Sequence, residues 1–210
     1  MKRRIALLGA ESTGKTQLSL ALRDHFLASG ERVELVAEVL REWCAREGRT
    51  PRPEEQMPIA QAQERRVDEA SARADVVIAD TTSVMVAIYS AMLFKDGTLY
   101  RFALDRLRTY DVVLLTGLDL PWVADGLFRD GPSVREPVDA MVRAALADAA
   151  VPYRVVYGSG AQRLANALAA IDATLAEPLP ERNNRAWNCE KCSDPECEHR
   201  LFRDLIERRN

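Results

Sequence analysis

Apolar and polar positions follow two rhythms along this chain. Short apolar runs recur at Ile5–Leu8, Val33–Val36, Asp75–Asp80, Val112–Thr116 and Tyr153–Val156, and each predicts a buried strand. Between them the apolar residues return every three or four positions, which predicts helices. Lys15–Ser29 carries Leu18, Leu22 and Phe26 on one face, and Gly30 closes it. Further helices are predicted over Val39–Glu47, Ile59–Ala74, Ser83–Leu93, Leu99–Leu107, Val138–Ala150 and Ala161–Leu175. The stretches RTPRPEEQMP and Pro121–Pro137 are rich in proline and charge and read as loops. Strands alternating with helices predict an α/β fold with a parallel sheet covered on both faces.

The break EPLPERNNR replaces apolar periodicity with proline, asparagine and charge. It predicts a main domain over residues 1–176 and a tail over residues 177–210. The 210 residues suffice for one α/β domain with a real core. Net charge is −3, with both signs interspersed, which argues against a nucleic-acid footprint. No apolar run approaches the ~20 residues of a membrane span. MKRR followed by IALLGA imitates a secretory leader, but its apolar part is short and a Gly-Lys loop follows at once. A buried first strand and a cytoplasmic protein are expected.

The chemistry starts at GAESTGKT, Gly9 to Thr16. It matches G-x-x-x-x-G-K-[ST] at every fixed position, after a predicted strand and before a predicted helix. Gly9 and Gly14 let the backbone curl, so that the amides of Ala10, Glu11, Ser12 and Thr13 point at one anion. The helix N-terminus adds partial positive charge. Lys15 would reach the β- and γ-phosphates of ATP, and Thr16 would offer its hydroxyl to Mg²⁺. Asp80 ends an apolar strand and is expected beside that metal, although DTTS also suits a helix N-cap. Glu38 closes the second strand at the carboxyl edge, where α/β sheets place ligands. It could accept a substrate hydroxyl proton, or simply pair with Arg41 one turn later.

These residues resemble a known family. GAESTGKT, AEVLREW, IAQAQERRVDEA, ADTTSV, YSAMLFKDG, the PWVADGLFRDG segment, SVRE and VPYRVVYGS are similar, in order and spacing, to the P-loop ribosylnicotinamide kinase domain of the NadR family. The likeness runs through residues 3–172. It implies a nucleoside-kinase-like P-loop fold with sheet order 2-3-1-4-5. It also implies transfer of the γ-phosphate of ATP to the 5′-hydroxyl of nicotinamide riboside. Under it Gly9, Gly14, Lys15 and Thr16 hold ATP and Mg²⁺, Glu38 and Arg41 sit at the substrate, and Asp80 is the carboxylate after the third strand. Trp122, Asp125 and Gly126 belong to the lid motif. The chain departs from the family pattern at Thr82, where a second acid is usual. It departs again at Ala124 and at Phe128, with Arg129 one step beyond the expected arginine.

Transfer spreads negative charge over equatorial phosphate oxygens, and Arg129 and Arg135 lie in a Gly/Pro-rich stretch suited to closing over them. A nicotinamide ring is cationic and favours an aromatic face, with Trp43, Tyr89 and Trp122 as candidates or as core residues. Other readings stay open: a kinase for another nucleoside or vitamin alcohol, or a nucleotide-gated binding module.

The tail, WNCEKCSDPECEHRLF, lies beyond the resemblance. Cys189 and Cys192 form a C-x-x-C pair, and Cys197 and His199 can complete a tetrahedral Zn²⁺ site. An iron–sulfur cluster, a thiol redox pair and free cysteines are the alternatives. A zinc knuckle could close the tail structurally or dock a protein partner. Cys44 stands alone and is expected to be a small buried residue.

Overall fold

The computed structural model describes residues 2–123 and 131–176, all within the unit Met1–Ala176. Five strands form one sheet: β1 (Arg3–Leu8), β2 (Val33–Val36), β3 (Val76–Asp80), β4 (Val112–Thr116) and β5 (Arg154–Val156). All pairings are parallel, in the order β2-β3-β1-β4-β5. Six helices lie between the strands and a seventh follows β5 among the described residues: α1 (Lys15–Ala28), α2 (Val39–Glu47), α3 (Pro53–Arg73), α4 (Ser83–Phe94), α5 (Leu99–Leu107), α6 (Arg135–Asp148) and α7 (Gly160–Ala176). A short 3₁₀ turn, Pro132–Val134, precedes α6.

The period-2 alternation of the strands decides which helix covers which face. Ile5, Leu7, Ile78, Val112 and Leu114 point to one side and pack against Leu18, Leu22 and Phe26 of α1 and Ala167 and Ile171 of α7. Ala6, Leu8, Val77, Ala79, Val113 and Leu115 point to the other and meet buried residues of α3, α4, α5 and α6. Fully buried leucines such as Leu22 and Leu146 each contribute about 2 kcal/mol by leaving water. The three central strands are therefore buried on both faces, and their carboxyl ends converge on one edge. None of the helices among the described residues is long and apolar enough to cross a membrane.

Two predicted loops turn out to contain helix starts. Helix α3 begins at Pro53, inside RTPRPEEQMP. Proline suits the first helical position, because its missing N–H would have had no partner there. Glu55 then fastens the turn. Its carboxylate accepts the Arg52 N–H at 2.7 Å and both Arg49 guanidinium nitrogens at 2.8 and 2.7 Å. Pro58 follows within the helix, where it removes one backbone bond without ending the element. Likewise α6 begins at Arg135, and Pro137 sits in its first turn. Cys44, expected to be buried, is half-buried within α2, and burial pushes its thiol pKa up. Trp43 packs against the core with the Arg49 guanidinium 4.8 Å from its ring centroid.

The Glu55 arrangement has a pH signature. The bonds from Arg49, then from Arg52, lower its pKa from 4.5 to about 2. A carboxyl depressed in the folded state adds stability above its unfolded pKa, and that stability is lost as pH falls through the folded value. Glu55→Gln is therefore expected to lower Tm slightly at neutral pH. The gap to the parent should close between the ordinary carboxylate range and about pH 2. Melting curves across that range check it; a gap that stays constant with pH contradicts it.

Candidate active site

Strand β1 ends at Leu8, and the chain turns at once through GAESTGKT into α1. Gly9 has φ +144°, and a Cβ there would lie 2.1 Å from Thr116 Oγ1 at the end of β4. Gly14 has φ +76° and caps α1, where a Cβ would lie 2.8 Å from Leu120 Cδ1. Only glycine fits both the dihedral and the space at these two points. Thr13 Oγ1 donates to Ala10 O at 2.8 Å and lies 2.7 Å from Thr116 Oγ1, which in turn donates to Leu8 O at 3.1 Å. The loop is thus pinned from beneath by β4.

Arg163, in the first turn of α7, pins it from the side. Its guanidinium is 95% buried and donates to Thr13 O at 2.7 Å, Gly158 O at 2.7 Å and Asp119 Oδ1 at 3.2 Å. Asp119 Oδ2 accepts the Gly158 N–H at 2.6 Å. Burial opposes its ionisation, yet the Gly158 and Arg163 bonds hold this carboxyl below the usual carboxylate range. Ser12 Oγ accepts the Val123 N–H at 2.8 Å and lies 3.2 Å from Val123 O, tying the segment after β4 to the same loop.

Above the loop lies a cavity of about 450 Å³. Ser12 to Gln17 form its floor, Glu38 and Arg41 one wall, and Leu120, Pro121 and Val123 another. Gly14, the N-cap of α1, has no side chain to cap the helix, so its first amides offer an electropositive end to an anion. Lys15 Nζ donates to Gly9 O at 2.9 Å and Ala10 O at 2.6 Å. A loop flanked by two glycines, a helix start with glycine at its N-cap and an ammonium together fit a polyphosphate.

Glu38 holds the N-cap position of α2 in extended backbone, 16% exposed at its side chain. Its Oε2 lies 3.6 Å from Arg41 Nε, so the one-turn pairing and the cavity position coexist. Asp80 ends β3, in register with Leu7 of β1, and is buried. Among the described residues its Oδ1 has no hydrogen-bond partner. Thr82, not Asp80, caps α4, accepting the Val84 N–H at 3.2 Å. That leaves the Asp80 carboxylate for another task. A Mg²⁺ in a phosphate site takes one or two protein ligands and completes its shell with water and phosphate, and an orphaned carboxylate oxygen with the exposed Thr16 hydroxyl fits that donor set.

Other expected site residues stand apart from the cavity wall. Tyr89 lies half-buried on α4 against the core. Trp122 follows the Leu120–Pro121 wall, with its Nε1 buried and unpartnered among the described residues. Arg135 was expected on a mobile loop. It instead opens α6 and is buried, with Nε and Nη2 lacking partners among the described residues. Asp125, Gly126 and Arg129 lie outside the described residues, as do Cys189, Cys192, Cys197 and His199.

Thr116 and Arg163 escaped sequence reasoning. Thr116 ends an apolar strand like any other terminal threonine. Arg163 did leave a trace: it shares the buried α7 stripe with Ala167 and Ile171. An arginine at an apolar helix position signals a paired, buried charge.

Comparison with known proteins agrees with this architecture. A family model described as an AAA domain matches residues 4–163. No curated protein matches the chain in sequence. Among solved structures, NadR protein in complex with NAD and AMP-PNP is similar, with TM-score 0.66 and 16% identity, over 85% of this chain and 51% of that one. NadR protein in complex with NR gives TM-score 0.65 and 17% identity, over 86% and 54%. Deoxyadenosine kinase from M. mycoides gives 0.56 and 14%, over 81% and 99%. At these identities the likeness is one of fold, and the chain spans about half the length of the NadR chains.

Proposed function

We propose that this chain, which belongs to the AAA-domain family, is an ATP-dependent kinase that phosphorylates the 5′-hydroxyl of nicotinamide riboside. The observation that carries the reading is the shared cavity. Glu38 and Arg41 face the same space as the Ser12–Gln17 loop, so an acceptor hydroxyl and a terminal phosphate can meet there. A bare phosphate-binding loop would not need a carboxylate opposite it. The fold shared with NadR and with a deoxyadenosine kinase supports a nucleoside as acceptor.

In this reading the loop amides and the α1 N-terminus hold the β- and γ-phosphates. Lys15 exchanges its two carbonyl partners for phosphate oxygens and balances charge as it shifts toward the leaving group. Thr16 and Asp80 would hold Mg²⁺, which would neutralise the negative charge of the phosphates. Glu38 accepts the proton of the 5′-hydroxyl as the new O–P bond forms and the bond from Pγ to the β–γ bridging oxygen breaks. Arg41, its Nε 3.6 Å from Glu38 Oε2, orients that carboxylate.

Incubating the protein with Mg-ATP and a panel of nucleosides tests this. Nicotinamide riboside is expected to give the highest kcat/KM. A different best acceptor would keep the kinase and replace its substrate, an outcome to which Thr82 in place of an acid points. Nucleotide binding with no transfer to any acceptor rejects the kinase reading.

A further inference from the structure

The inner stripe of α3 reads Ile59, Ala60, Gln63, Glu64, Val67, Ala70, and all six are buried. Two polar residues in the middle of an apolar stripe call for a reason, because each gives up its water. Gln63 is 1% exposed. Its Oε1 accepts the Val39 N–H at 2.9 Å and its Nε2 donates to Thr81 O at 3.4 Å. Val39 follows Glu38 and Thr81 follows Asp80, so one buried amide bridges the backbones that carry both carboxylates.

The neighbouring residue reinforces one side. Glu64 Oε1 accepts the Ser83 N–H at 2.9 Å and the Ser83 hydroxyl at 2.6 Å, and its Oε2 accepts the Tyr110 hydroxyl at 3.2 Å. Between these anchors Thr81 adopts φ +74°. A β-branched residue takes that conformation only when its surroundings hold it. The turn after Asp80 is thus clamped against its own preference, and α3 supplies two of the clamps.

We propose that Gln63 is a positioning residue for the reaction: its side-chain amide fixes the Glu38 backbone relative to the Asp80 backbone, and so the hydroxyl-activating carboxylate relative to the metal-side one. The proposal rests on the kinase reading of those two carboxylates. Gln63 is buried and is not among the residues that line the cavity. Its geometry does what no apolar residue of the same length could, accepting on one side and donating on the other.

The test is Gln63→Met, which keeps the length and removes both bonds, beside Val67→Ala, a cavity variant one turn along the same stripe. Gln63→Met is expected to lower kcat about tenfold with KM for ATP and nucleoside changed less than about threefold, since misplacement of reacting groups is felt in the transition state. Titration calorimetry of ATP should show a several-fold higher Mg²⁺ requirement and unchanged binding in EDTA. Val67→Ala should lower Tm while sparing kcat and the Mg²⁺ requirement. If Gln63→Met does not fold, the shorter Gln63→Asn is read the same way. A Gln63 variant with parental kcat and Mg²⁺ requirement overturns the proposal, as does a loss that Val67→Ala reproduces at equal Tm. The calorimetry needs no acceptor. Absent transfer by the parent therefore condemns the kinase reading alone, while parental binding indifferent to Mg²⁺ condemns this one.

Discussion

Replacing Lys15 by alanine is expected to cut kcat/KM by roughly 10²–10³-fold, about 3–4 kcal/mol of transition-state stabilisation. The ammonium stands over the loop, bonded to Gly9 O and Ala10 O, one side-chain length from any phosphate the loop would take. Those two bonds are local and partly exposed, so the folded state loses little, and alanine is a good residue for a first helical turn. Tm should therefore stay within a few degrees of the parent. Steady-state kinetics with the best acceptor of the nucleoside panel, alongside melting curves, check both halves. A variant that keeps its rate would mean that Lys15 remains on the carbonyls throughout.

Gly9→Ala is expected to do the opposite: damage the loop's shape and stability together. The new Cβ would lie 2.1 Å from Thr116 Oγ1, closer than van der Waals contact permits, at φ +144° where an L-residue is strained. Strain of about 1–3 kcal/mol plus the clash should lower Tm by about 5–10 °C. Nucleotide affinity should fall about a hundredfold as the amides lose their common aim. Adding Thr116→Ala relieves the clash but not the dihedral and forfeits the Thr116 bonds to Thr13 and Leu8, so the double variant should recover part of the Tm and less of the affinity. Full recovery would locate the whole cost in the contact, and no initial loss would show that the loop re-forms around the methyl.

The parts of this architecture that rest on local pattern were readable in the chain. The apolar runs marked the strands, and the spacing of Gly9, Gly14 and Lys15 marked the phosphate-shaped turn, because both depend on neighbours a few residues away. Glu38 could be placed because the second strand's end fixes it at the carboxyl edge. The start of α3 could not, because two prolines outweighed the signal of Pro53 followed by Glu55, which only a bond from Arg52 makes legible. Arg135 was misplaced for the same reason, since Pro137 looked like a loop residue and is a first-turn residue. Gln63, Thr116 and Arg163 depend on partners brought from distant segments. Only the oddity of a polar residue on an apolar stripe betrays two of them.

The Arg163 bond to Thr13 joins residues 150 positions apart. Ribosomal synthesis delivers Arg163 150 residues after Thr13. The anion-shaped turn therefore emerges long before its lateral brace, and contacts this remote form late. A nascent chain halted anywhere before α7 would own the complete GAESTGKT segment and still lack the finished receptor for phosphate.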